Sequence, residues 1–183
     1  MPVKSVFITG SNRGIGLAFA RHYVAAGWKV IAASRDLEGA SDLKELAVAN
    51  IVHLDVTNEA SIAAVADQFK GEPIDLVINN AGISGAGTLA DVTKEDLIKL
   101  FEYSYRSTKA ALNMLNKSLA ADLKSDNIIT LALHPGYVVT RMTGHKGEVT
   151  ADESVAGRTK IIAEATPEHS AKYFDFHGSF LPW

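Results

Sequence analysis

The chain has 183 residues, 47% hydrophobic and 21% charged, which is enough for one domain with a buried core and too few for two ordinary domains. A net charge of −3 without any Lys/Arg run excludes a surface built for nucleic acid or an acidic membrane, so small molecules are the expected partners. The lack of cysteine excludes disulfides and thiolate metal sites. His22, His53, His134, His145, His169 and His177 show no i,i+4 pairing, and no apolar run reaches membrane-spanning length. A metal-free, cytoplasmic protein is the expectation.

Val3 to Thr9 (VKSVFIT) is too apolar on both faces for a half-exposed strand and predicts a buried parallel strand. Ile15, Leu17, Ala18 and Tyr23 predict a helix ending near Gly27, and Trp28 to Ser34 predicts a second strand that completes a βαβ unit. Ile51 to Asp55 reads as a third strand. Ile62, Val65, Ala66 and Phe69 mark one helix face at i, i+3, i+4, i+7, and Ile74 to Asn79 reads as a fourth strand. Thr93, followed by Glu95 and Asp96, predicts a helix start. Leu112, Leu115, Leu119 and Leu123 form a helical stripe, Ile128 to His134 a strand, and Tyr173 to Asp175 a short last strand. The alternation predicts an α/β fold over residues 1–183, a single Rossmann-like domain with a doubly wound parallel sheet. Ligands are expected beyond the carboxyl ends of the strands.

The first chemical signal, Thr9-Gly10-Ser11-Asn12-Arg13-Gly14-Ile15-Gly16, stands where the first strand turns into the first helix. Glycines there let the backbone approach a pyrophosphate, and the helix N-terminus offers free N–H groups and a positive dipole end. The second signal is Ser34-Arg35-Asp36 at the end of the second strand, where a dinucleotide places its adenosine ribose. Arg35 beside the Ser34 hydroxyl suits a 2′-phosphate and so NADP(H), with Arg13 as a second cation; Asp36 is a competing carboxylate one position on. An Arg–Asp pair on a solvated loop is the other reading of the same residues. A third signal, Tyr105 and Lys109 in YRSTK, puts a phenol and an ammonium four residues apart on one helix face. Such a pair can lower the phenol's pKa and donate a proton to a carbonyl oxygen.

These motifs together resemble the short-chain dehydrogenase/reductase family. TGSNRGIG is similar to its cofactor turn, LDVT at 54–57 to its adenine-side contact, NNAG at 79–82 to its central strand end, and YRSTK to its catalytic pair. HPGYVVTRM at 134–142 is similar to its nicotinamide-side turn, and the ending FDFHGSFLPW resembles the carbonyl-reductase subgroup that includes the C-factor signalling proteins. The resemblance implies reduction of a small ketone or aldehyde by hydride transfer from NADPH, with Tyr105 as general acid and Lys109 lowering its pKa. It further implies that cofactor contacts come from Gly10, Asn12, Arg13, Gly14, Ile15, Gly16, Ser34, Arg35, Asp55, Val56, Asn80, Ala81, Gly82, Tyr105, Lys109, Pro135, Gly136, Val138 and Thr140. Val138, Thr140, Met142 and the stretch 144–159 would line or cover the substrate pocket. For Thr140, capping the turn that follows it is nearly as good a reading as a bond to the nicotinamide carboxamide.

One interval departs from the family. Only 23 positions separate Gly82 from Tyr105. In the family this segment holds a long helix with an Asn and then a strand ending in the Ser that hydrogen-bonds the substrate carbonyl; neither is present here. Ser84, Ser104 and Ser107 do not occupy the matching position, and Tyr103, an alternative phenol, has Ser107 rather than a lysine four residues on. A single helix over 94–124 would run about 46 Å at ~1.5 Å per residue, against roughly 17–20 Å for a strand, so a break near Glu102 to Tyr105 is expected. If the next strand closed onto the fourth, Tyr105 would shift by about one strand spacing, ~4.8 Å; if not, the fourth strand would keep an unpaired edge. Three readings stay open: a longer form of the chain that keeps the helix-strand unit, a shortened NADPH-binding protein of impaired activity, and a signalling protein on the same scaffold. The family's usual dimer interface uses the helix cut short here, which leaves a homo-oligomer as an open expectation.

Overall fold

The structure, a computed structural model, describes residues 2–82 and 105–182, with the side chains of 105–108 excepted. It forms two compact units, Met1–Gly82 with Val139–Val155 and Ile83–Val138 with Ala156–Trp183.

The first unit runs β1 (Ser5–Thr9), α1 (Gly14–Ala25), β2 (Lys29–Ser34), α2 (Ser41–Lys44), β3 (Asn50–His53), α3 (Glu59–Gln68) and β4 (Leu76–Ile78). All four strands are parallel in the order β3-β2-β1-β4. Every residue of β1 is buried, as its unbroken apolar run requires of a strand covered on both faces. Val6, Ile8, Val30 and Ala32 pack with Leu17, Phe19 and Tyr23 of α1. Phe7, Ile31, Ala33 and Val52 point the other way, towards Val65 and Phe69 at α3. Alternate residues of the same strands therefore serve two cores, and burying them supplies the main stabilisation of this unit. Asn58 caps α3 by accepting the Ser61 N–H at 3.0 Å.

The strands are shorter than their apolar runs for identifiable reasons. Val3 is 70% exposed, so β1 starts only at Ser5. At the same end the Asp75 carboxylate accepts the Ser5 N–H at 2.7 Å, which takes residue 75 out of the ladder. At the other end Asn80 turns its N–H to Thr9 Oγ1, 2.9 Å away, instead of extending β4.

β4 is the outer strand of this sheet, with Val77 54% exposed. Beside it an apolar groove of about 430 Å³ is lined by Phe7, Leu54, Ile62, Phe69 and Ile74 together with Val77. Among the described residues no later strand pairs with β4.

The second unit contains α4 (Tyr105–Asp122), β5 (Leu131–His134), most of α5 (Ala151–Ala163) and β6 (Lys172–Asp175). β5 and β6 pair in parallel as a separate two-stranded sheet, with Leu131 opposite Lys172 and His134 opposite Asp175. Thr130 ties the unit together: its hydroxyl donates to Asn116 O at 3.2 Å and its carbonyl accepts the Ala171 N–H at 2.9 Å. Leu112, Leu115 and Leu119 of the expected stripe lie on α4, while Leu123 falls just past its end; the three are 45%, 58% and 47% exposed. The expected helix start at Thr93, with Glu95 and Asp96, and the expected break at Glu102 to Tyr105 fall on or against residues outside the described ones. After β6 the chain folds back, Asp175 Oδ1 accepting the N–H groups of His177 and Ser179 at 3.0 and 2.8 Å.

The Ser5 hydrogen bonds hold the Asp75 carboxyl below the usual carboxylate range. A group whose folded pKa is depressed contributes stability that is complete above its unfolded value, about 3.9, and is lost as the pH falls through the folded one. Asp75→Asn should therefore lower the melting temperature near neutral pH and flatten its decline between about pH 5 and pH 3. Thermal melts of both proteins across that range check this.

Candidate functional site

The four parallel strands end on one side, so the glycine turn after β1, Arg35 after β2, Asp55 after β3 and Asn80 after β4 all emerge at the same edge of the first unit. The chain reverses its lateral direction between β1 and β4, the crevice where open parallel sheets take ligands.

The glycine turn is held by its neighbours. Ser11, wholly buried, donates through both its N–H and its hydroxyl to Ala33 O at 3.0 Å. Thr9 Oγ1 accepts the N–H groups of Asn80 and Ala81, each at 2.9 Å. The Asn80 side-chain amide donates back to the carbonyls of Thr9 and Gly10, each at 3.1 Å. Gly10 sits at φ +64°, where a Cβ would come within 2.9 Å of Ala81 Cα, and a Cβ on Gly16 would overlap the Gly10 carbonyl oxygen. These two positions exclude a side chain, and the backbone is thereby laid open as a cradle. Arg13, the N-cap residue of α1, makes no side-chain capping bond, so the first turn keeps backbone donors for an anion. Thr140 enters the same place, its Cγ2 lying 3.6 Å from where a Gly14 Cβ would stand.

At the β2 end, Ser34 is buried and Arg35 exposed. The Asp36 carboxylate, the competitor for a ribose, accepts the Gly39 N–H at 2.8 Å. Asp55 Oδ1 accepts the N–H and hydroxyl of Thr57 at 3.0 and 2.7 Å; these bonds, helped by the Arg35 charge, hold its carboxyl below the ordinary range. Val56 follows it, 45% exposed.

Gly10, Asn12, Arg13, Gly14, Ile15, Gly16, Ser34, Arg35, Asp55, Val56, Asn80, Ala81, Gly82 and Thr140 all belong to the first unit. The Asn80 side-chain amide donates both its hydrogens to the main chain of the glycine turn. Thr140 donates its N–H to Thr143 Oγ1 at 3.1 Å and accepts that hydroxyl at its carbonyl at 3.0 Å, opening the short 3-10 turn Arg141–Thr143. Thr9 and Ser11 are structural anchors that the motif contains without marking as such. Their signal is a hydroxyl immediately before and after Gly10, at the end of a buried strand.

Tyr105, Lys109, Pro135, Gly136 and Val138 belong to the second unit. Tyr105 opens α4 with Lys109 one turn later, but the side chains of Tyr105 and Ser107 lie outside the described residues, as do Ser84, Tyr103 and Ser104. Lys109 is exposed by surface area, yet packing around its ammonium desolvates it and lowers its pKa from the ordinary lysine value. Past β5, Gly136 turns at φ +79° and donates its N–H to His134 Nδ1 at 3.0 Å, while Val138 is buried. Among the described residues no group of three His, Asp or Glu is placed to hold a metal, and no helix is long and apolar enough to cross a membrane.

A parallel sheet with helices on both faces and a side-chain-free cradle at its crossover defines a Rossmann-like, nucleotide-binding α/β protein. Comparison with known proteins narrows this. The short chain dehydrogenase family profile matches residues 4–104 and 99–151, and the chain belongs to that family of oxidoreductases. C-signal of Myxococcus xanthus is 32% identical over 155 residues, 61% of this chain and 93% of its own. The 1-hydroxy-2-glutathionyl-2-methyl-3-butene dehydrogenase of Rhodococcus is 28% identical over 233 aligned positions, 99% of this chain and all of its own. An NADPH-bound carbonyl reductase from chicken fatty liver superposes with a TM-score of 0.85 at 30% identity, covering both chains completely. A Burkholderia multivorans short-chain dehydrogenase/reductase with bound NADP gives 0.87 at 25% identity, again over both chains. The profile matches in two stretches that overlap over residues 99–104, just before Tyr105.

Removing the circuit around Gly10 should be costly. Asn80→Ala strips two donors from the carbonyls of Thr9 and Gly10 and should cost about 1–3 kcal/mol of stability, while Gly16→Ala, which forces a side chain against Gly10, should cost a similar ~1–3 kcal/mol. Urea denaturation of the two variants and the parent measures both.

Proposed function

We propose that residues 1–183 form one cytoplasmic NADP(H)-binding domain that reduces a small ketone or aldehyde. The observation that carries this reading is the cradle of Gly10 and Gly16 with exposed Arg35 at the same strand-end edge. Its shape fits a dinucleotide: the space where a Cβ would stand at residues 10 and 16 is taken by backbone, and α1 presents an uncapped first turn to a pyrophosphate. Arg35, with Arg13 nearby in sequence, meets the 2′-phosphate. The similarity to the NADPH-bound carbonyl reductase supports the same cofactor and the same class of substrate.

When bound, the nicotinamide supplies the hydride. Tyr105 then donates its phenolic proton to the carbonyl oxygen, turning hydride addition into alcohol formation, and recovers the proton from solvent. Lys109 stabilises the phenolate left behind; its desolvated ammonium acts on a neighbouring charge more strongly than a hydrated one would. His134 and Gly136 shape the turn at the nicotinamide side, with Val138 packed behind it.

A second reading is favoured by a specific observation. Only 23 positions separate Gly82 from Tyr105, and among the described residues β4 has no partner on its outer side. A shortened protein that binds NADPH without turnover, or signals in the manner suggested by its similarity to C-signal, fits that departure.

Calorimetric titration with NADPH and NADH, followed by NADPH oxidation over a panel of small ketones and aldehydes, separates the two. The reductase reading expects NADPH to bind more tightly than NADH, Arg35→Ala to weaken NADPH about tenfold or more with NADH little changed, and Tyr105→Phe to lower turnover by about 10²–10⁴. Tight NADPH binding with no Tyr105-dependent turnover would leave the second reading standing alone.

A further inference from the structure

Two adjacent residues after β2 make opposite demands on a ribose. The Arg35 guanidinium attracts a 2′-phosphate, whereas a carboxylate from Asp36 repels it and prefers the free hydroxyls of an unphosphorylated ribose. Where the Asp36 carboxylate is held decides between them.

Asp36 is clamped at three points. Its N–H donates to Ser34 Oγ at 3.1 Å, its carbonyl accepts the Ser34 hydroxyl at 2.9 Å, and its Oδ1 accepts the Gly39 N–H at 2.8 Å. Ser34 is only 2% exposed, so the clamp is anchored in the buried end of β2. Arg35, between the clamped residues, has none of these bonds; both side chains are exposed, so what differs is that the carboxylate is tied into the turn and the guanidinium is not. A Cβ at residue 39 would overlap Asp36 Oδ2 and stand 3.0 Å from its Cγ. Gly39 is not among the glycines with positive φ, so what it supplies here is space for the carboxylate and not backbone freedom.

We propose that Gly39 and Asp36 together set the preference for a 2′-phosphorylated cofactor. Gly39 seats the carboxylate inside the 36–39 turn and Arg35 is left to meet the ribose. This rests on the NADP(H) reading above and names the residues that hold its selectivity. A side chain at 39 evicts a negative charge from the turn, one residue from the cation that binds the phosphate, and the 2′-phosphate then pays the repulsion.

The test measures dissociation constants for NADPH and NADH on the full chain. Gly39→Ala should weaken NADPH about tenfold while leaving NADH no weaker. Adding Asp36→Asn to Gly39→Ala should return NADPH affinity to within about twofold of the parent, because an amide of equal size carries no charge to repel the phosphate. An unchanged NADPH-to-NADH ratio in Gly39→Ala, or a double variant as weak as Gly39→Ala alone, overturns the proposal, the latter by showing a purely steric defect. Should Gly39→Ala fail to fold, Ser34→Ala loosens the same clamp without adding volume, and rescue of its NADPH affinity by Asp36→Asn is read in the same way. Arg35→Ala keeps the two levels apart. A normal Arg35 response with an unresponsive Gly39→Ala sinks this inference alone, whereas a parent protein that prefers NADH sinks the reading beneath it.

Discussion

Thr9 Oγ1 accepts the N–H groups of Asn80 and Ala81, and the Asn80 amide returns two hydrogen bonds to the carbonyls of Thr9 and Gly10. This closed circuit joins the ends of β1 and β4, strands separated by about seventy residues of chain, at the crossover of the sheet. It requires the backbones to approach more closely than side chains at Gly10 or Gly16 would allow. Everything else at this edge follows: the turn stays flat, α1 starts with its first amides directed outward, and Thr140 can reach the neighbourhood of Gly14. Buried hydrogen bonds of this kind matter less for their net energy than for the cost of breaking them, since each orphaned carbonyl keeps its full desolvation penalty.

The ends of β2 and β3 are organised by charge placement. Three ionic side chains, Arg35, Asp36 and Asp55, crowd the ends of β2 and β3, and two of them have the wrong sign for a phosphate. Both carboxylates are engaged locally, Asp36 by the Gly39 N–H and Asp55 by Thr57. Arg35 takes no part in these local bonds, although both it and Asp36 are exposed. The lowered pKa of Asp55 expresses the same fact, because the bonds that occupy the carboxylate also favour its charged form.

The strands of the two units pair separately. β4 pairs with β1 and ends the sheet, β5 pairs with β6, and the two sheets are separate among the described residues. An apolar groove lies beside β4, and three leucines on α4 are exposed.

Much of the fold was legible from the chain because the signals are local. Two-faced apolar runs marked β1 and β2, a 3.6-residue period marked α3 and α4, and the glycine turn announced a strand-to-helix junction. The order and identity of the elements followed from residues a few positions apart, and so did the family. Element ends were less legible, since Asp75 and Asn80 leave the ladder to bond Ser5 and Thr9, partners about seventy positions away. The same holds within the site. Residue types alone set Arg35 against Asp36 and made Asn80 a candidate ligand, but only the fold seated one carboxylate on Gly39 and turned the Asn80 amide inward. Sequence determined which groups are present and which short-range shapes they favour; tertiary structure decided which of them remain available to a ligand, because availability depends on partners that only folding brings within hydrogen-bonding distance.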